Sequence, residues 1–526
     1  MTPRRAPGQG AARPATPMVS PDSPGLPAAR HRGLRLASVL VCGAAAALLA
    51  RAGGLSSEAV ATAGTAGATA AAWLTGAVPL PVASLLPALL LPALGALPAA
   101  EVAPRYFPEI LLLFLGGFIL ALALERHGLH RRFALRAVGL LGTRPRRVVL
   151  GFMAVAMGLS MFVSNTSTAL LMLPVAVAVL DACRPEEARR LSAPLLLGIA
   201  WACSIGGVAT PIGTAPNAVL LGQLETTWPE APLPAFGTWV IGTFPFCLSF
   251  LLVAWAILCR VGGGLPHHSF EGLEILQEER RAAGRRSRDQ TRVLAVFAAV
   301  ALAWLSRQGV DFGGFRLPGW AELLPARVQG TLADSTVALA GVLLLFVLPG
   351  EGTRGGALLD WEDCVRIPWG ILLLLGGGFA LAHAIQVTGL AEALGGTMEG
   401  AVATLPPWGL VFLLSLFVTF LTEITSNTAT ISVLLPLFFS AARAAGVHPL
   451  LLGLPATLAV SCAFMLPVAT PPNAILFSSG RISIATMART GFVLNLATAV
   501  LVTAFTFLWI APRWGLELRE LPAWAR

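Results

Sequence analysis

Apolar stretches close to the length of a bilayer-spanning helix recur along this chain, at 35–52, 57–76, 78–98, 109–125, 236–259, 293–306, 335–349, 369–387 and 489–511. A helix needs about 20 apolar residues to cross the hydrocarbon core. Hydrophobic residues make up 56% of the 526 and charged residues 12%, whereas a soluble domain carries about 25% charged. Lipid is therefore the main solvent this chain must satisfy. Because a helix satisfies its own backbone polar groups there, the expected fold class is an all-α polytopic membrane protein.

The formal net charge is +9, which raises nucleic acid as a partner. The arginines, however, sit in short clusters between apolar segments and form no single basic face, so they read as topology signals and no nucleic-acid partner is expected. Residues 1–34, rich in Pro, Ala and Arg, lack the apolar core and small-residue cleavage site of a signal peptide. They read as a disordered, basic cytoplasmic tail. Cys42, Cys183, Cys203, Cys247, Cys259, Cys364 and Cys462 are scattered, without a CxxC or a nearby His pair. Neither a metal site nor a disulfide framework follows, and they read as small membrane hydrophobes.

An internal repeat organises the chain. LGGFILALALERHGL (115–129) returns as GGGFALAHAIQVTGL (376–390), mapping Phe118 to Phe379 and Gly128 to Gly389. SNTSTALLMLP, from Ser164, returns as SNTATISVLLP, from Ser426; GTAPNAVL, from Gly213, returns as ATPPNAIL, from Ala469. Blocks in one order at nearly constant spacing are a repeat signature. Chance similarity between apolar helices explains runs of small residues but not two SNT and two PNA strings in register.

Charge asymmetry orients the halves, because short cytoplasmic loops collect Lys and Arg. Arg30, Arg32 and Arg35, the cluster Arg131, Arg132, Arg136, Arg144, Arg146 and Arg147, and the loop 260–292 belong inside. The stretches 225–237 and 391–408 contain no Lys or Arg and belong outside. Each SNT segment must then enter and leave on one side, at 147–180 from inside and 407–440 from outside, as a re-entrant hairpin. The PNA segments, 192–223 and 451–480, cross once each. The total is about 11 transmembrane helices in two inverted-topology repeats, with the N-terminus cytoplasmic, the C-terminus outside, and the plasma (inner) membrane as location.

Inverted repeats with helices broken near the midplane are a transporter plan, and backbone freed from helical bonds is tolerated there only where it lines a cavity. Pro216, Pro471 and Pro472 mark the breaks. Ser, Asn and Thr offer neutral groups that donate to an anion or accept from a cation, and a helix opening at each SNT adds backbone N–H groups that favour negative charge. The same oxygens suit a hard cation such as sodium. A lone SNT would more simply be a helix N-cap; two copies inside apolar hairpins, each with a Pro-Asn break, favour a binding site.

These strings, SMFVSNTSTALLMLP (160–174), IGTAPNAVL (212–220), TEITSNTATISVLLP (422–436) and SCAFMLPVATPPNAILF (461–477), resemble the divalent anion:sodium symporter family, the dicarboxylate, tricarboxylate and sulfate carriers of the solute carrier 13 type. With the weaker AAWLTGAVPLPVASLLPALLLP (71–92), the resemblance covers about residues 70–511. It implies a homodimeric elevator carrier: scaffold helices at 35–128 and 293–388, transport repeats at 129–259 and 389–511 (each an interfacial helix, a hairpin, a broken helix and a following span), the basic loop 260–292 and a short outer tail 512–526. One sodium site would use Ser160, Ser164, Asn165 and the Gly213 backbone, and its partner Thr422, Ser426, Asn427 and the Ala469 backbone. Asn165, Thr166, Thr214, Asn427, Thr428 and Thr470 would contact the anion. Sodium would be co-transported, and no organic cofactor is expected. Two departures stand out: TAPN for the TPPN of the second half, and Gly76 where the family often has an acidic residue.

Glu125, Glu423 and His383 are ionisable groups in or near the spans, where such residues are functional candidates. Glu125 reads as an interfacial partner of Arg126, His383 as a packed or snorkelling residue, and Glu423 as a hairpin stabiliser with a proton-carrying role as the alternative. An obligate exchanger or proton-coupled carrier is the competing transport reading. An intramembrane enzyme lacks support, since the sequence has no HExxH, no membrane-embedded acidic pair and no nucleophile-base arrangement. The short loop 260–292 leaves no room for a soluble regulatory domain and tilts the substrate toward di- or tricarboxylates over sulfate.

Overall fold

The computed structural model describes residues 29–129, 132, 144–261, 264–266, 268, 286–311, 316–329, 331–351, 356–393, 400, 402 and 404–526. The tail through residue 28, most of 130–143, where the first interfacial helix is expected, residues 394–399 in the region of the second, and most of the basic loop 260–292 lie outside the described residues.

The described residues are mainly helical: α1 (Ala29–Ala52), α2 (Ser57–Thr75), α3 (Glu109–Arg126), α4 (Pro145–Ser160), α5 (Asn165–Ala182), α6 (Pro185–Val208), α7 (Ala215–Thr227), α8 (Phe236–Leu258), α9 (Arg288–Ser306), α10 (Asp334–Val347), α11 (Trp369–Val387), α12 (Pro407–Leu421), α13 (Asn427–Ala444), α14 (Leu450–Val460), α15 (Pro471–Phe477) and α16 (Ile484–Phe505). A two-residue antiparallel ladder, β1 (Val310–Asp311) with β2 (Arg316–Leu317), closes the connection after α9. Eight helices among the described residues are long and apolar enough to span a membrane, and four apolar ones are shorter.

Local chemistry explains where helices start and stop. Pro145 and Pro185 occupy the first turns of α4 and α6, where their missing N–H costs nothing. Ser56 caps α2 by accepting from the Ala59 N–H, and Gly76 ends it in the left-handed region at φ 59°. A side chain at position 76 would strain that turn. Gly128 and Gly389, the repeat-related glycines, end α3 and α11 alike with φ of 64° and 79°.

Two sequence expectations need correction. The stretch 78–98 is not one span but two short helices, Leu80–Ala83 and Leu86–Ala93. Its prolines at 79, 81, 87, 92 and 98 remove donors and clash with the preceding turn. The end of the expected disordered tail is helical, since α1 begins at Ala29. The 512–526 tail is also held down: α16 runs on through a π turn to Trp514, Ala525 is fully buried, and the Trp524 ring meets those of Trp228 and His448.

Each repeat contributes a helix-tip-helix hairpin, α4–α5 or α12–α13, and a broken helix, α6/α7 or α14/α15. Within repeats, α6 packs on α4 and α14 on α12. Gly206 makes the first contact possible, because a Cβ there would overlap the Met157 carbonyl oxygen. Between repeats, α15 packs on α5 and α6, while α7 packs on α13 and α14. The broken arm of each repeat thus sits against the hairpin of the other.

Candidate functional site

The two hairpin tips repeat one hydrogen bond. Ser160, fully buried at the end of α4, donates to Oδ1 of Asn165 at 2.5 Å. Thr422, fully buried just after α12, donates to Oδ1 of Asn427. In each case a hydroxyl at the end of the first arm reaches five residues ahead to the first residue of the second. The Ser164 hydroxyl caps α5, accepting from the Ser167 N–H at 3.1 Å and donating to the Ser167 hydroxyl at 3.0 Å. Ser426 occupies the same place before α13 without a side-chain cap. Among the described residues, no Lys or Arg hydrogen-bonds these tip side chains.

The broken helices are braced by the Asn of each PNA string. Nδ2 of Asn217 donates to the carbonyls of Gly207 at 3.1 Å and Thr210 at 2.8 Å, and also toward Val208. Nδ2 of Asn473 donates to the carbonyls of Ala463 at 3.0 Å and Leu466 at 3.1 Å. The spacings match, ten and seven residues back in both. Unwound carbonyls buried in an apolar body need such donors. The proline before each Asn then starts the next arm. Thr470 caps α15 by accepting from the Asn473 N–H at 3.3 Å, whereas Thr214, half-buried and extended, caps α7 without a side-chain bond.

Loop and tip meet closely in the first half. A Cβ added to Gly207 would lie 2.9 Å from Oδ1 of Asn165, and one added to Gly213 would lie 2.5 Å from the Gly207 carbonyl. Ser160, Asn165, Gly207 and Gly213 therefore converge, and Thr210 ties the loop to the tip by donating to the Met161 carbonyl. In the second half a carboxylate does the tying. Glu423 accepts from the backbone N–H groups of Phe464 (2.7 Å), Met465 (2.9 Å) and Leu466 (3.0 Å) and from Nδ2 of Asn495 (2.7 Å).

Thr166 and Thr428 lie half-buried in the first turns of α5 and α13, and Ala469 is buried beside Thr470. Sequence reasoning missed Asn217, Asn473 and Gly207 as parts of the site, although the twin PNA strings carried the signal for the two asparagines. Asn495 had no signal at all. His383 is buried, as a packed residue would be, and is also paired: Nε2 lies 2.8 Å from Glu101 and 3.5 Å from Arg105. Arg126 pairs with Asp360 and Asp363, while Glu125 reaches toward Arg366 and Ser167. A cavity of about 380 Å³ lined by Thr227, Gln386, Phe439 and Arg443 lies at the far ends of α7, α11 and α13 and includes none of the tip residues. Among the described residues, no cluster of three His, Cys, Asp or Glu side chains is placed to hold a metal.

Comparison with known proteins bears on what this arrangement is. Residues 30–514 match the family described as the sodium:sulfate symporter transmembrane region. A sodium-dependent dicarboxylate transporter of Staphylococcus saprophyticus is 37% identical over 85% of this chain and 85% of its own. A Na(+)/dicarboxylate cotransporter 3 of Mus musculus is 33% identical over 86% of this chain and 88% of its own. In fold, the chain is similar to the crystal structure of the Alcanivorax borkumensis YdaH transporter, with a TM-score of 0.51 at 14% identity, covering 78% of this chain and 88% of that one.

Proposed function

Since the chain belongs to the sodium:sulfate symporter transmembrane region family, we propose that it is a secondary active transporter that takes up a small divalent or trivalent anion with sodium. A C4-dicarboxylate or citrate is favoured over sulfate, in keeping with the names of the relatives. The observation that carries the reading is the pair of matching bonds, Ser160 to Asn165 and Thr422 to Asn427, at the tips of two hairpins.

Sodium is cargo here, not a resident cofactor. Oδ1 of Asn165, the hydroxyls of Ser160 and Ser164 and the unwound carbonyls around Gly213 form an all-oxygen donor set, the chemistry a hard cation requires. Thr422, Ser426, Asn427 and the Ala469 backbone form the second. In each, a rotatable hydroxyl that now donates to the Asn oxygen can turn its lone pairs toward an ion instead. Nδ2 of Asn165 and Asn427, with Thr166, Thr428, Thr214 and Thr470, remain to bond the anion. The opening turns of α5 and α13 add free backbone N–H groups and the positive end of the helix.

The protein is read as a multi-pass plasma (inner) membrane protein, N-terminus cytoplasmic and C-terminus outside, working as a homodimer. Helices of 35–128 and 293–388 form a scaffold. The hairpins, broken helices and following spans form a body that carries the site across as an elevator. Proton coupling through Glu423 fits less well, because both carboxylate oxygens are already engaged by four donors. Labelled succinate uptake into proteoliposomes under a sodium gradient, challenged with malate, citrate and sulfate, tests the reading. Uptake blocked by carboxylates but not sulfate is expected; no sodium-driven uptake of any of the four would contradict it.

A further inference from the structure

Helices α3 and α11 are repeats of one another, yet they meet the broken helices differently. Phe379 of α11 is fully buried, and its ring lies on Gly222 of α7, so closely that a Cβ at 222 would overlap the ring carbons Cζ and Cε1. Two turns on, Nε2 of Gln386 donates to the Thr227 carbonyl at 2.7 Å. The repeat maps Phe379 to Phe118, Gln386 to Glu125, Gly222 to Ser478 and Thr227 to Ser483.

At those related positions the seam stands open. Phe118 is only half-buried, its ring 6.0 Å from that of Phe114 on its own helix. Ser478, Pro471 and Ala474 are exposed together along one side of the α15 segment, and Glu125, the counterpart of Gln386, reaches toward Arg366 and Ser167 instead of toward α15. Where α7 packs against both α11 and α3, α15 packs on α5 and α6 within its own body. Two halves with one sequence pattern thus hold two conformations, and in an inverted repeat an exchange of conformations between halves generates the opposite state.

Resting on the elevator reading above, we propose that Phe379 seated on Gly222 is a latch holding the mobile body against the scaffold in the state seen here. Phe118 over Ser478 is the matching latch of the opposite state. Glycine at 222 lets the ring lie flat on the backbone, and serine at 478 is the nearest approach to that notch in the second repeat. The latches are mutually exclusive, because α7 and α15 travel in one body while Phe379 and Phe118 sit on different scaffold helices, so seating one ring draws the other notch away. Two packed arrangements separated by a gap, in place of a continuous slide, are what close-packed interfaces permit.

The test uses full-length protein in proteoliposomes with its seven cysteines replaced. One cysteine pair, Thr227→Cys with Gln386→Cys, reports the present latch; Phe118→Cys with Ser478→Cys reports the other. Gly222→Val should lower cross-linking of the first pair several-fold and raise that of the second, and Phe118→Ala, tested with the first pair alone, should raise its yield. If Gly222→Val leaves both yields unchanged while the 227–386 cross-link still stops uptake, the latch is overturned and the elevator stands. If protein cross-linked at 227–386 transports at the reduced protein's rate, the elevator reading itself fails.

Discussion

Asn217 and Asn473 sit 256 residues apart and make the same two hydrogen bonds, each reaching the carbonyls ten and seven residues behind it. Each holds open the unwound stretch that faces a hairpin tip. Both asparagines are buried, with Oδ1 of each lacking a protein partner in the described chain. Asn217→Ala and Asn473→Ala should therefore damage folding as well as uptake. Two carbonyls left without donors at about 1–3 kcal/mol each should lower the melting temperature of purified protein, and melting unchanged from wild type would remove the bracing role.

The tip asparagines should behave differently. Asn165→Ala and Asn427→Ala remove groups assigned to sodium and anion at a half-buried tip, so uptake should fall at least tenfold while melting moves little. Ser160→Ala and Thr422→Ala, which take one oxygen from each ion set, should raise the sodium concentration for half-maximal uptake by roughly tenfold, the effect of losing about 1–2 kcal/mol at a site. A sodium curve unchanged in both would leave these hydroxyls as structural caps.

Glu423→Gln separates a clasp from a proton carrier. The amide keeps one acceptor oxygen but turns an NH2 group toward backbone N–H groups, so melting temperature and uptake should fall together. The pH profile of the remaining uptake should match wild type. Loss of pH dependence with melting preserved would identify Glu423 as the proton site.

His448, in the connection between α13 and α14, offers a pH prediction. Burial pushes its pKa down to about 4 from 6.5, and Nδ1 accepts from the Leu450 N–H at 3.1 Å, a role only the neutral ring can fill. The unfolded chain takes up a proton near pH 6.5 that the folded chain refuses until about pH 4. Stability is therefore lost as pH falls through that window, by at most about 3 kcal/mol. Trp524 packs on this ring at 5.4 Å and the His448 N–H donates to the Leu518 carbonyl, so the C-terminal segment should loosen first. Melting at pH 7 and pH 4.5 should separate less in His448→Asn than in wild type; equal separation would show that another group sets the acid sensitivity.

Much of this organisation was legible in the sequence. The SNT and PNA strings located the hairpins and breaks, because prolines and small polar residues inside apolar runs act locally. Equally local is the stop signal at Gly128 and Gly389. The stretch 78–98 misled, since its hydrophobicity is that of a span while its prolines forbid one. Asn495 on α16 and Gln386 on α11 act across 72 and 159 residues of chain respectively; no spacing rule reaches that far. The asymmetry between Phe379 and Phe118 is invisible to sequence, because a repeat encodes both conformations and the fold shows one.

The central claim is that sodium and anion complete one site together. Among the described residues no Lys or Arg bonds the tips, so a dianion there meets only neutral dipoles and helix ends, where uncompensated charge is costly. Bound sodium supplies the missing charge, and each species must tighten the other by the same factor. The most direct measurement is succinate affinity of the purified transporter in sodium and in choline, at two pH values. The account predicts affinity at least tenfold weaker in choline at both pH values. Affinity unchanged in choline, or restored there by acid, would contradict it.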